Sequence, residues 1–220
     1  MIHTEILPAN NPTAIQRALE LVRRGEVIAL PTDTVYGIAT DGLNAAAVEK
    51  LFIAKDRPTS KAIMLLLGDI EDLNQVAANI PPTARRLVER FWPGGLTLVV
   101  HARPELPANL RAETDTIGVR LPNSNLVREF IRSLGRPLAA TSANLSGGEN
   151  PRTAQDVLNS LGGRIALILD GGATPGNIPS TVVDCTKDPP RVLRAGAISI
   201  EDIARALHIR LEDLNNAGNE

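Results

Sequence analysis

The chain has 220 residues, 43% of them hydrophobic, with 23 Lys+Arg against 25 Asp+Glu and a formal net charge of −2. That length suits one sizeable domain or two small ones, and the composition is that of a globular chain, not a disordered one. The near-neutral charge gives no bulk drive toward nucleic acid, the lone Cys185 cannot close an internal disulfide, and no apolar run approaches the ~20 residues a membrane helix needs.

The elements read as follows in chain order. MIHTEILPANNP lacks a basic stretch leading into an apolar core, so no secretory leader is expected. With the single cysteine, this predicts a cytoplasmic protein with no membrane partner. Asn11-Pro12 opens a helix whose apolar face is Ile15, Ala18, Leu19 and Val22, and Gly25 stops it. Val27–Leu30 reads as a buried strand broken by Pro31. A polar turn follows, PTDTVYG, and then a return run Tyr36–Ala39. Asn44–Ala54 has helical spacing and ends in the charged loop Lys55–Lys61. Ile63–Leu67 is an interior strand.

Pro81–Phe91 is a helix with Arg85, Arg86, Glu89 and Arg90 outward. WPGG turns the chain into the strand Leu96–Val100, and Pro104–Glu113 is loop-like. Ile117–Leu121 is a strand, Asn125–Leu134 a helix stopped by Gly135, and Leu138–Ala140 a short buried strand emptying into the polar loop TSANLSGG. Thr153–Leu161 and Ser199–Leu207 are helices, each with a hydroxyl at its start and Asp three residues on. Ile165–Leu169 and Thr181–Cys185 are strands, joined by DGGATPGNIPS. A frayed tail is expected over 211–220. The irregular alternation predicts a single α/β domain over 1–210, with a twisted mixed parallel/antiparallel sheet flanked by helices. Cys185, in the run TVVDC, reads as a buried structural thiol.

Three polar loops offer chemistry. Pro31–Gly37 carries Thr32, Asp33 and Thr34; an ordinary turn between strands has the same look. Lys55, Arg57 and Lys61 put three cations into seven residues, as a polyphosphate requires and as a solvated surface loop also provides. PLAATSANLSGG brings small hydroxyls, amides and free backbone N–H groups that can wrap an anion. In TIGVR and VLRAG an arginine, Arg120 or Arg194, interrupts an apolar run. Such a residue calls for a bound anion or a structural carboxylate. His3, His101 and His208 are scattered with no metal-ligand spacing, so a structural or catalytic zinc site is not expected, and either Asp33 or phosphate oxygens alone could hold a Mg²⁺. GxGxxG, GxxxxGK[ST] and nucleophile-elbow patterns are missing. Hydroxyls, amides and cations without a histidine base suit the positioning and charge neutralisation of phosphates.

Taken together, PTDTVYGIATD, KDRP, FWPGGLTLVV, TIGVRLPN, ATSANLSGG, PSTVVD and VLRAGAIS resemble the threonylcarbamoyl-AMP synthase family, in its order and approximate spacing. The paired signature Lys-x-Arg and Ser-x-Asn stands as Lys55-x-Arg57 and Ser142-x-Asn144. The resemblance implies a twisted α/β fold with a large concave active-site face. It implies a nucleotidyltransferase that makes L-threonylcarbamoyladenylate and pyrophosphate from L-threonine, bicarbonate and ATP, with Mg²⁺ on the phosphates. The product feeds tRNA threonylcarbamoyl transferase proteins that modify the adenosine beside the anticodon. By position, Lys55, Arg57, Ser142 and Asn144 match the signature, and the resemblance implies that they are the catalytic residues. Arg57, Lys61, Thr116, Ser142, Asn150 and Arg194 match nucleotide contacts, and Thr34, Arg120, Ala140 and Ser180 match threonine contacts. The chain resembles the short, single-domain form.

The chain departs from the family pattern at Lys61-Ala62-Ile63, where Asn-Pro-Leu is common, at Leu66 and Ser124 in place of histidine, and at Asn150 in place of serine. A rival reading is a tRNA or double-stranded RNA module without synthase activity. Arg85, Arg86, Arg90, Arg103 and Arg111 leave room for weak tRNA contact, although a solvated helix face accounts for the first three.

Overall fold

Side-chain caps set where the helices begin. Asn11 accepts from Thr13 N at 2.9 Å and starts α1 (Pro12–Arg23). The Asn44 side chain accepts from Ala46 N and Ala47 N and starts α2 (Ala45–Lys55). Thr153 and Asp156 cap one another reciprocally at the head of one later helix, and Ser199 accepts from Asp202 N at another. Each such cap satisfies amide groups that the helix itself leaves unpaired.

The protein is described here by a computed structural model covering residues 3–175 and 178–215. After β1 (Glu5–Pro8) and α1 come β2 (Ile28–Pro31), β3 (Tyr36–Asp41), α2 and β4 (Met64–Leu66). Next are α3 (Leu73–Val76), α4 (Pro82–Phe91), β5 (Leu96–His101), β6 (Thr116–Arg120), α5 (Asn125–Leu134) and β7 (Leu138–Ser142). The chain continues through α6 (Ala154–Leu161), β8 (Leu167–Asp170), β9 (Thr181–Asp184), β10 (Arg191–Arg194), α7 (Ile200–Leu207) and α8 (Leu211–Asn215). All the strands join one ten-stranded mixed sheet in the order β1-β8-β2-β3-β7-β4-β6-β5-β9-β10. The expected single α/β domain with a mixed sheet is what forms.

Helices cover the two faces of this sheet unequally. One face carries Ile38, Leu65, Ala139, Val119, Leu98 and Val183, packed beneath residues of α2, α3, α4, α6, α7 and α8. The other carries Ile28, Leu30, Ala39, Leu66, Leu138 and Ala140, packed beneath α1 and α5. That second cluster takes nothing from β6, β5, β9 or β10. The burial pattern records the difference. All of β3 is buried, whereas Gly118 on β6, Val99 on β5 and Val182 on β9 are half-buried between buried neighbours. Successive strand residues point to opposite faces, so alternation appears where one face is bare. This bare half-face becomes the floor of the site.

Several expectations need correction. β7 runs on through Thr141 and Ser142, because β3 offers Ile38 and Gly37 as antiparallel partners there. Pro31 does not break β2; it pairs with Tyr36 as the strand's last residue. β1 was not anticipated; it is a short edge strand with an irregular pattern. The tail is ordered further than expected, since Leu211–Asn215 forms α8 and Leu214 is fully buried in the core. The remainder of the expected frayed tail, 216–220, and positions 176 and 177 of the β8–β9 connection lie outside the described residues. Cys185 is buried and its thiol is pushed up to about 12, chiefly by burial and then by the Asp184 charge, as befits a structural thiol.

Tyr36 ties the site side of the sheet together. Its buried hydroxyl donates to Gly172 O at 2.7 Å and accepts from Gly171 N at 3.1 Å, fastening the segment after β8 to β3. Tyr36→Phe removes both hydrogen bonds. It should lower unfolding free energy by about 1–3 kcal/mol, read from the urea midpoint. An unchanged midpoint would show that this anchor contributes nothing.

Candidate functional site

Two cavities lie side by side over the bare half-face. The smaller, 110 Å³, is bounded by Thr32, Thr34, Leu66, Arg120, Asn150 and Ser180, among others. The larger, 490 Å³, is bounded by Arg57, Arg111, Thr116, Gly118, Val182 and Leu193, among others. Met64, Ala140, Thr141, Ser142 and Arg194 belong to both and form the shared wall. The floor of the larger cavity stays low because Gly118 adds no side chain. A Cβ there would already touch Met64 Cβ at 3.4 Å and Thr97 Cγ2 at 3.6 Å.

In the smaller cavity the guanidinium of Arg120 is buried and held by three groups. Nε donates to Gly94 O at 2.8 Å, Nη1 to Thr34 Oγ1 at 3.1 Å and Nη2 to Asp33 Oδ1 at 2.8 Å. Burial lowers the Arg120 pKa and the adjacent Asp33 charge opposes that shift, so the ion pair keeps the charge in place. A guanidinium has five N–H donors, so each terminal nitrogen keeps one free. Asp33 therefore serves as the structural partner of Arg120. Ser180 is also buried; its hydroxyl lies 2.7 Å from Thr97 Oγ1 and accepts from Arg194 Nη2 at 3.1 Å. Arg194 further donates from Nε and Nη2 to Ser180 O. That meeting requires a close backbone approach at Gly196, where a Cβ would fall 2.3 Å from Pro179 O. Burial, and then the neighbouring Arg120 charge, lowers the Arg194 pKa.

The cationic loop is split up by the fold. Lys55 is the last residue of α2 and turns inward, where it is only 2% exposed. Its ammonium donates to Ser142 O, to Asn144 O at 2.5 Å and to Asn144 Oδ1 at 3.3 Å. Asn144 in turn accepts from Ser142 Oγ at 2.5 Å and donates to Gly148 O at 2.6 Å. Lys55 thus sits behind the SANLSGG loop and holds its shape, while Arg57 and Lys61 diverge from it. Asp56, at φ 50°, ends the helix and redirects the chain. Arg57 faces the larger cavity, steadied by Lys61 O at 3.1 Å and Ala62 O at 2.6 Å. Lys61 itself is exposed and lines neither cavity.

Thr34, Arg120, Ala140 and Ser180 therefore meet at the smaller cavity, with Ser142, Asn150 and Arg194. Arg57, Thr116, Ser142 and Arg194 meet at the larger one. Lys55 and Asn144 lie in the supporting layer. Sequence reading missed Met64, Thr141 and Gly118. The alternation Thr116-x-Gly118-x-Arg120 was an available signal, because Thr, Gly and Arg together do not make a core face. Arg111, considered above for RNA, lines the larger cavity instead. Arg85, Arg86 and Arg90 are exposed on α4, which packs on the opposite face of the sheet. Among the described residues lining the two cavities there is no carboxylate and there are four arginines, so both cavities favour anions.

The comparisons with known proteins decide the family. Residues 20–196 match the Sua5_yciO_yrdC family model, described as "Telomere recombination". The chain is 41% identical over 201 residues to the threonylcarbamoyl-AMP synthase of Bacillus subtilis (strain 168), covering 91% of this chain and 58% of that one. It belongs to the threonylcarbamoyl-AMP synthase family. A putative threonylcarbamoyl-AMP synthase of Mycobacterium tuberculosis is 36% identical, with 92% of this chain and 93% of that one covered. The solved structure of P. abyssi Sua5 complexed with L-threonine superimposes with a TM-score of 0.89 at 34% identity, covering 98% of this chain and 62% of that one. E. coli YciO superimposes at 0.82 with 29% identity, covering 92% of this chain and all of that one. The chain thus spans a little over half the length of some family members and nearly all of others.

The Lys55 clamp can be tested through its proton. Burial, then the Arg57 charge, pushes its pKa down to about 7 from the ordinary lysine value of 10.5. Between those values the unfolded chain binds more protons, so the Lys55 contribution to stability rises with pH across that window. Lys55→Met should flatten this slope. At neutral pH it should also cost about 1–3 kcal/mol, by leaving buried loop oxygens without their donor. Denaturation curves from pH 7 to 10 compare the two proteins, and parallel slopes would refute the assignment.

Proposed function

We propose that this protein condenses L-threonine, bicarbonate or CO2, and ATP to L-threonylcarbamoyladenylate and pyrophosphate. The observation that carries the reading is the pair of abutting anion-favouring cavities with one shared wall. Family membership supports the same reaction. The smaller cavity takes threonine. Its carboxylate meets the two free N–H groups of Arg120, and its hydroxyl lies among Thr34 and Ser180. The larger cavity takes ATP, with Arg57 and Arg194 on the phosphates, Thr116 nearby, and the apolar surface of Val182 and Leu193 beside them.

The threonine amine attacks CO2, loses a proton and becomes a carbamate. A carbamate oxygen then attacks the α-phosphorus, and pyrophosphate leaves with the bonding pair of the broken P–O bond. Three anionic groups must converge, so like-charge repulsion opposes the step. The protein contributes placement and opposing positive charge. Arg194 and the backbone of Ser142 stand on the wall between the cavities, where carbamate and α-phosphate would meet. Lys55 and Asn144 act by fixing that wall. Lys61 is free to reach the phosphates only by reorienting from the surface, and Asn150 closes the rim.

Magnesium belongs to this reading as the ion that accompanies ATP. The lining residues offer hydroxyls, amides and guanidinium groups, and Asp33 is engaged by Arg120. This donor set does not fit a protein-held metal, so no step is routed through one. The described residues contain no group of three or more His, Cys, Asp or Glu side chains that could hold a metal ion. The product would pass to tRNA threonylcarbamoyl transferase proteins.

The test is pyrophosphate release from ATP that requires both threonine and bicarbonate and proceeds without tRNA. Arg57→Ala and Ser142→Ala should each lose most of it. Arg120→Lys keeps a counter-charge for Asp33 but loses the planar fork. It should raise the KM for threonine by about tenfold or more, with little change for ATP. Full release by all three variants would refute the site, and none from the folded wild type would favour the RNA-binding alternative.

A further inference from the structure

One wall of the larger cavity is unused by this reaction. It is the turn between β5 and β6, built on a single 3-10 turn at Ala108–Leu110. Ala112 and Glu113 follow with φ of 48° and 64°, two consecutive non-glycine residues in the left-handed region. Such residues carry strain and persist only where their surroundings hold them. The two buried side-chain polar atoms without a hydrogen-bond partner among the described residues are Asn109 Oδ1 and Arg111 Nε, both in this turn. Orphaned polar atoms and backbone strain therefore coincide within five residues beside one cavity.

The backbone of the turn is well anchored. Arg111 N donates to Ala108 O at 3.1 Å, and its carbonyl accepts from Thr114 N at 3.0 Å and Thr114 Oγ1 at 2.6 Å. Leu110 O accepts from Ile63 N, and Asn109 Nδ2 donates to Ala45 O. The guanidinium is not anchored, since Arg111 has no side-chain hydrogen bond or ion pair among the described residues. Arg57 and Arg194, on the same cavity, each lean on backbone carbonyls instead. Three guanidinium groups thus share a cavity whose described lining holds no carboxylate. A lining with three arginines and no carboxylate favours an anion, and a planar fork matches two phosphate oxygens at once.

We propose that Arg111 is a third arginine for the polyphosphate of the nucleotide, its guanidinium gaining partners only when that anion is bound. This rests on the nucleotide reading of the cavity. It adds a residue outside the family signature and assigns Arg111 to phosphate, not to RNA.

Calorimetric titration with inorganic tripolyphosphate, and with adenosine as an uncharged control, tests this in wild type, Arg111→Ala and Arg111→Lys. Arg111→Ala should weaken tripolyphosphate binding about tenfold or more and leave adenosine unchanged. Arg111→Lys, which keeps the charge without the fork, should fall between and serves if the alanine variant does not fold. In the coupled assay the KM for ATP should rise while that for threonine holds. The proposal is overturned if wild type does not bind tripolyphosphate, if the folded variants bind it as wild type does, or if adenosine weakens by the same factor. Selective loss of tripolyphosphate in a protein that releases no pyrophosphate would uphold Arg111 and reject the synthase reading.

Discussion

A ten-stranded sheet whose helices cover most of one face and only part of the other must leave a patch of sheet in contact with solvent. The rest of this molecule follows from that imbalance. Six helices bury the apolar side of the strands, while α1 and α5 cover the second side only over β1, β8, β2, β3, β7 and part of β4. On the uncovered strands the outward residues need not be apolar, so Thr116, Gly118, Arg120 and Thr97 can stand where a core would demand Val or Leu. A small-residue floor with arginine at its edge is a consequence of coverage, not of any one motif.

The polar network is layered on that floor. Buried charges are tolerated only when paired or hydrogen-bonded. Arg120 meets this demand with Asp33, Thr34 and Gly94 O, and Lys55 meets it with the carbonyl groups of Ser142 and Asn144. Both cations fix distant segments against each other, β6 to the β2–β3 turn and α2 to the loop after β7. Arg57, half-buried, and Arg194, exposed, have a different job. Arg57 and Arg194 are steadied by backbone oxygens and keep donors to spare, which places positive charge without neutralising it. Rigid support below and unspent donors above are what charge-repelled reactants require.

Family members of very different length share this unit. The chain covers 58% of the B. subtilis relative and 93% of the M. tuberculosis relative. The residues lining the two cavities fall between Thr32 and Arg194, inside the stretch 20–196 that matches the family model.

Local signals carried much of the fold. The helix starts at Asn11, Thr153 and Ser199, the helical spacing after Asn44, and the proline and glycine punctuation placed most helices and strands within a residue or two, because these choices depend on immediate neighbours. Composition and motif order pointed to an anion site of hydroxyls and arginines in this family. Other features depend on groups far apart in sequence. Only the fold turned Lys55 inward beneath a loop nearly ninety positions away and left Lys61 on the surface, although the two sit in one charge run. Only it extended β7 to Ser142, since strand length depends on a partner's free edge, and brought Arg111 to the cavity. Spacing along the chain identifies which residue types are available. Which of them face one another depends on strand order and on which half of the sheet the helices leave bare.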